Sequence, residues 1–408
     1  MISATNCLLF LAIATLPLYL WDSGFPQVSH ILLGFAILLQ SIMRGNRFNL
    51  SPASKILLVL FFASALIDLS RSLFLGYDPI DLAGPVYVLF SAVSLSFFSI
   101  KSGTCPTIIV NAFLLSLAIA TIGLLIGGVS LSIDTSSEVA YRSIGTFNNP
   151  NQLGYYGACA LSIAFILYWQ RIISPLVCFA MILLSVFLVI ASLSKAASIS
   201  SIAAVVAFTV NLFPGFFAKI VLKPKAMHCI VLISLLGFAT YYFFAGGGLP
   251  LVDLENLKIF DRLSSIGSQN DDSLDGRGYW IIWNSGAFEL LFGYGLSGVR
   301  ALIGHELHST FFSFFANYGL LVGSLYVCMF FAAYCKSVKT LGHIRSIISY
   351  APILLYGITH NGSRFTVLYL FIALAISLPA SSRESLEKPG RLSENRGINQ
   401  GQDFGDGR

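Results

Sequence analysis

Residues 104–129, TCPTIIVNAFLLSLAIATIGLLIGGV, carry no charged side chain at all. A segment this long and this apolar reaches across the ~30 Å hydrocarbon layer of a bilayer, which takes about 20 residues of helix. Blocks of this kind recur along the whole chain, at approximately 5–21, 27–43, 53–69, 80–100, 104–129, 152–170, 173–192, 196–213, 227–245, 309–332, 344–360 and 363–379. Backbone amides inside lipid must bond within their own segment, so continuous apolar blocks predict helices, whereas a membrane barrel would alternate polar and apolar residues. Only 11% of the 408 residues are charged and the mean hydropathy is +0.80, against roughly 25% charged in a soluble domain. The expectation is an all-α polytopic membrane protein of about 12 transmembrane helices. Met1–Trp21 lacks a basic leading region and a small-residue cleavage site, and reads as the first span rather than a signal peptide.

Charge placement orients these spans. With both termini on one face, sixteen of the 24 lysines and arginines fall on that face, including Arg44, Arg47, Lys101, Arg171, Lys219, Lys336, Lys339 and Arg345 in short loops. The positive-inside rule makes that face cytoplasmic. Two polar segments then lie on the outer face: Ser130–Asn151, and the long loop 246–308, in which the aromatic run Tyr279–Phe292 is too short to span and reads as an interfacial helix. Residues 1–380 form the transmembrane domain; the Gly-, Ser- and charge-rich stretch 381–408 reads as a disordered cytoplasmic tail. Seven scattered cysteines form neither a disulfide framework nor a metal cluster.

The outer face holds few cations, and several sit at the rim of a span. Arg142 stands in 142-RSIGTFNNPNQLG-154, where Asn148, Asn149, Pro150 and Asn151 also have the chemistry of a helix start. Arg277 lies between Gly276 and Gly278, ahead of Trp280 and Trp283. His308 ends 304-GHELH-308; with His305 it gives two candidate ligands, but the spacing is not HExxH and no third ligand is evident, so no metal is expected. Gly319 and Gly323 follow at the spacing that permits close helix packing. Lys195, in 192-SLSKAAS-198, and Arg364, in 359-THNGSR-364, are either snorkelling cations or partners for phosphate. Guanidinium groups at membrane depth can grip a lipid-linked pyrophosphate without a metal, and an imidazole beside them can move a proton.

Taken together, 142-RSIGTFNNPNQLG-154, 261-DRLSSI-266, 271-DDSLDGR-277, 293-GYGLSG-298 and His308 with 319-GLLVG-323 resemble the O-antigen ligase and polymerase superfamily of bacterial inner-membrane glycosyltransferases, over a core of about 140–325. The resemblance implies transfer of an oligosaccharide from undecaprenyl pyrophosphate to a glycan or to lipid A core in polysaccharide biosynthesis. No nucleotide sugar and no cofactor would be needed, and nucleic acid would play no part. In that pattern Arg142 and Arg277 hold the pyrophosphate, His308 is the base for the acceptor hydroxyl, and Asn151, Lys195 and Arg364 complete the substrate-binding set. Chain-length regulator and flippase proteins are the partners it implies. Relatives often carry a Ser-Arg pair where this chain has Ser194-Lys195, and a lysine lacks the planar fork. A transporter or flippase of the same lipid-linked sugars is the alternative; it would require charge at mid-membrane depth and internal pseudo-symmetry.

Overall fold

The computed structural model describes residues 4–21, 26–44, 52–76, 104–127, 144–212 and 277–377, and every regular element among them is helical. The expected spans 80–100 and 227–245, the loop up to residue 276, Arg142 and the 381–408 tail lie outside the described residues. In chain order the helices are α1 Ala4–Ala14, α2 Val28–Arg44, α3 Pro52–Leu75, α4 Thr104–Gly127, α5 Pro150–Trp169, α6 Pro175–Ser192 and α7 Lys195–Leu212. After the undescribed stretch come the short α8 Trp280–Trp283, α9 Ala287–Phe292 and α10 Gly295–Ile303, and then α11 Thr310–Leu341, α12 His343–Thr359 and α13 Thr366–Ser377. Among the described residues, five windows are long and apolar enough to cross a membrane: Leu58–Leu75, Thr107–Ile126, Pro175–Ser192, Lys195–Leu212 and Thr310–Leu341. Their outward side chains, such as Phe62, Leu66, Ile126, Leu176 and Ile202, are exposed. Such a belt of bare apolar surface is stable against lipid and costly against water.

α5 is the central pillar, buried along almost its whole length from Pro150 to Leu167. Its start follows the sequence expectation. Asn149 Oδ1 accepts the Gln152 amide at 2.9 Å, Pro150 occupies the first turn, and Gln152 Oε1 reaches back to the Asn148 amide at 3.1 Å. This reciprocal pairing satisfies amides that a helix start leaves bare. Small residues then let neighbours close in: a Cβ on Gly157 would stand 2.8 Å from the Ser185 carbonyl of α6, and one on Gly154 would stand 2.6 Å from Ser192 Oγ. α12 packs on the other side, with Tyr155 and Tyr356 stacked at 4.3 Å.

Three expected spans take a different form. The first, expected over 5–21, is helical only to Ala14, because Pro17 can neither donate the next helical bond nor leave room for the preceding carbonyl. Residues 15–21 turn across the bundle instead, with the Tyr19 amide on Thr146 O at 3.1 Å and Asn148 Nδ2 on Trp21 O at 2.9 Å. The third span, expected to stop at residue 69, continues to Leu75 and takes Arg71 into the same apolar window as Asp68.

The tenth, expected over 309–332, is not straight. Gly319, at φ 66° and ψ −176°, breaks α11 into arms 310–318 and 320–341. Phe314 stacks on Tyr326 at 4.2 Å and Phe311 meets Phe330 at 5.8 Å. In a continuous helix these pairs would lie roughly 18 and 28 Å apart, so α11 is a helical hairpin. Gly323 does serve close packing, but against the chain's own first arm: a Cβ there would be 2.9 Å from Phe314 O.

The expected interfacial helix over 279–292 is likewise divided, into α8 and α9, at Ser285–Gly286. α9 docks on the vertex of the hairpin, where Gly293 and Gly319 have nearly the same left-handed φ with extended ψ and face each other's backbone. The Tyr294 amide bonds Ala316 O at 2.8 Å across this contact. From α3, Asp68 accepts the Leu296 amide at 3.1 Å and the Tyr318 hydroxyl at 3.3 Å, while Arg71 donates to Gly293 O and faces Glu289 at 3.9 Å. These two buried charges are thereby satisfied, as burial in an apolar setting demands.

Candidate functional site at one end of the bundle

Alternating helix direction brings the starts of α5, α7, α11 and α13 to the same end as the finish of α12. The Asn151 carbonyl accepts the Tyr356 hydroxyl at 3.1 Å, the Thr310 amide bonds His360 O at 3.1 Å, and Gly362 lies against the Tyr155 ring. At the opposite end Arg345 stacks over Trp169 at 5.0 Å and Gln170 bonds Thr340 at 3.2 Å. The cations Arg171, Lys336, Lys339 and Arg345, which the sequence assigns to one face, therefore do share an end, and the candidate site occupies the other.

The last residues of α12 and the turn that follows, 357–362, form the platform. Ser309 Oγ donates to Gly357 O at 3.0 Å, Thr310 Oγ1 donates to His360 O at 3.0 Å, and the Gly362 amide donates to Thr310 Oγ1 at 2.8 Å. Ser309 also caps α11 by accepting the Phe312 amide. These bonds fix the residue just before them, His308, at the mouth of the hairpin. Its carbonyl and that of Ile358 both accept the Tyr279 hydroxyl, at 3.0 and 3.2 Å. The His308 ring stands 5.0 Å from that of His305 and 6.5 Å from that of His360.

Arg277 reaches the same platform from the other side, its Nη1 donating to Thr359 O at 2.7 Å. A cation at the last turn of α12 also meets the negative end of that helix. Arg364 approaches from the start of α13, with Nη2 at 2.8 Å from Glu306 Oε1. Arg300, at the end of α10, contacts the same oxygen, and Asn361 Nδ2 approaches Glu306 Oε2 at 3.4 Å.

Arg277, His308 and Arg364, each predicted from sequence, thus converge on one turn. Asn151 and Lys195 stand at the starts of α5 and α7 on this end; Lys195 follows Ser194, whose Cβ would be 3.0 Å from a Cβ on Gly154. Arg142 is outside the described residues, but the segment just after it, from Ile144, packs on the end of α4: a Cβ on Gly145 would lie 3.5 Å from Leu124.

Sequence reading missed Arg300, Glu306, His360 and Asn361. The signal was present for two of them, since 359-THNGSR-364 puts a histidine and an amide in a turn beside Arg364. Nothing in the local pattern ties Arg300 to Glu306 six residues on; only the break at Gly304, with φ 79°, folds them together.

Chemically, the platform offers three guanidinium groups and three imidazoles against the single carboxylate of Glu306 among the described residues named here. Such a surface holds anions. Among the described residues no three His, Cys, Asp or Glu side chains are arranged as metal ligands. Behind Tyr279, whose ring stacks on Phe312 at 4.7 Å, a mostly apolar groove of about 190 Å³ is lined by Ile282, Trp283, Leu290, Phe312, Phe315 and Leu320, with Ser285 and Glu289 as its polar members. An apolar groove therefore adjoins a cationic mouth, with one aromatic ring between them. Comparison with protein-family models, with characterised proteins and with solved structures gives no match.

Proposed function

We propose that the chain is a membrane glycosyltransferase that polymerises or ligates undecaprenyl-pyrophosphate-linked oligosaccharides during bacterial surface polysaccharide assembly. It would sit in the inner membrane in about twelve spans with both termini cytoplasmic and this site on the periplasmic side. The observation that carries the reading is a gathering around residues 357–362: Arg277 donates to Thr359 O, the His308 ring lies 6.5 Å from that of His360, and Arg364 pairs with Glu306 beside Asn361. Three residues distant in sequence, of the types that pyrophosphate binding and proton transfer need, share one end of the helical bundle.

In the reaction, the acceptor hydroxyl oxygen attacks the anomeric carbon of the donor sugar. The bond from that carbon to the pyrophosphate oxygen breaks, and undecaprenyl pyrophosphate leaves with the electron pair. His308 takes the hydroxyl proton. Arg277 and Arg364 stabilise the charge gathering on the leaving group, with Arg142 expected to join them. Lys195 and Asn151, at the helix starts on the same end, line the approach of donor or acceptor. The groove behind Tyr279 suits the first isoprene units of the carrier.

The alternative, a transporter of the same lipid-linked sugars, would be favoured by charges inside a span. Asp68 and Arg71 are such charges, but both are engaged in holding residues 289–296 and Tyr318, which supports a structural role. The test is surface polysaccharide in cells carrying Arg277→Ala, His308→Ala or Arg364→Ala at normal protein abundance. Each should abolish chain assembly or ligation; wild-type product from all three would overturn the assignment.

A further inference from the structure

Among the described residues of the platform, Glu306 is the one acidic side chain, and it is held as an anion would be. Arg364 meets its Oε1 at 2.8 Å, Arg300 meets the same oxygen, and Asn361 approaches Oε2 at 3.4 Å. The side chains of Arg364, Glu306 and Arg300 are 15%, 24% and 36% exposed, so the cluster is reachable from solvent on one side. Glu306 lies in the linker between α10 and α11, beside Gly304, whose Cα faces open space. The backbone beside it is held, since Leu307 is buried and its carbonyl accepts Ser313 Oγ at 3.1 Å, so the carboxylate leaves by side-chain rotation alone, whereas Arg364 is seated just before α13 and Asn361 in the bolted turn.

We propose that Glu306 is an internal stand-in for a phosphate group: Arg300, Arg364 and Asn361 form a phosphate subsite, and the carboxylate fills it until a pyrophosphate displaces it. This rests on the reading of the donor as a lipid-linked pyrophosphate. Carboxylate and phosphate present similar oxygen pairs to a guanidinium fork. A singly charged anion gains little over the carboxylate already in place, while a pyrophosphate brings more charge and more acceptor oxygens. Glu306 is thus a specificity-determining residue that rejects monoanions, and Arg300 is a substrate-binding residue that the sequence alone did not mark.

The experiment uses the full-length chain in detergent, with binding of inorganic pyrophosphate and of a short prenyl pyrophosphate measured by calorimetry at fixed low salt. Glu306→Gln should bind both probes on the order of tenfold tighter than wild type, the scale of one charge-assisted contact. Adding Arg300→Gln or Arg364→Gln should remove the gain. Should Glu306→Gln not fold, Glu306→Ala replaces it, and added acetate should then compete with the probe. Unchanged or weaker binding in a cooperatively folded variant would overturn the proposal, as would a gain that survives loss of both arginines or appears only with the inorganic probe. Failure of the functional reading looks different: the affinity gain would be present, but wild type would transfer no sugar from a lipid-linked donor.

Discussion

His308 owes its place to its neighbours. Ser309 and Thr310 bolt the adjoining backbone to Gly357 and His360, so the imidazole is presented from a fixed strut rather than from a free loop. Gly319 fixes the far end of the same strut. Its φ of 66° with extended ψ is a region open essentially to glycine, and a Cβ would overlap the backbone of Leu291 and Phe292. Gly319→Ala should therefore cost at least about 2 kcal/mol, from strain and overlap together. Gly323 has ordinary helical geometry, and a Cβ there would press on Phe314 O and the Phe315 ring at 2.9 Å, a smaller overlap with no backbone strain, so Gly323→Ala should cost less. Thermal unfolding of the two variants in one detergent checks the order, and equal midpoints would contradict the bent geometry.

Among elements, α11 departs furthest from what its sequence implies. Residues 309–332 carry no charge and are mostly apolar, and apolarity reports burial in protein or lipid without reporting direction. The bend comes from one glycine and from ring pairs that meet only once the arms are folded. The paired substitutions Phe311→Cys and Phe330→Cys, in a chain freed of its native cysteines, should be joined efficiently by a short bifunctional thiol reagent. In a straight helix the two positions would lie about 28 Å apart and no such crosslink would form. α1 teaches the same lesson in milder form: a proline inside an apolar block ended the helix, and that signal was readable at Pro17.

Over the whole molecule, much of what positions the site was legible and the reason is physical. Membrane-length apolar blocks leave helix as the available backbone solution, Asn149–Pro150 marks a helix start, and scarce cations at span edges mark one end of the bundle. Arg277, His308 and Arg364 stood out as candidates because charge is rare here. Glu306, Arg300 and His360 were not, because their importance lies in contacts among distant turns that no local pattern encodes. The account as a whole makes this platform a transfer site for a polyprenyl-pyrophosphate donor. The most direct test is the purified chain in liposomes given lipid-linked repeat units and followed by product length on a gel. The account predicts polymer or ligated product from wild type, and at least about a hundredfold less from folded His308→Ala, the contribution expected of a general base. No product from wild type, or an undiminished rate from His308→Ala, would contradict it.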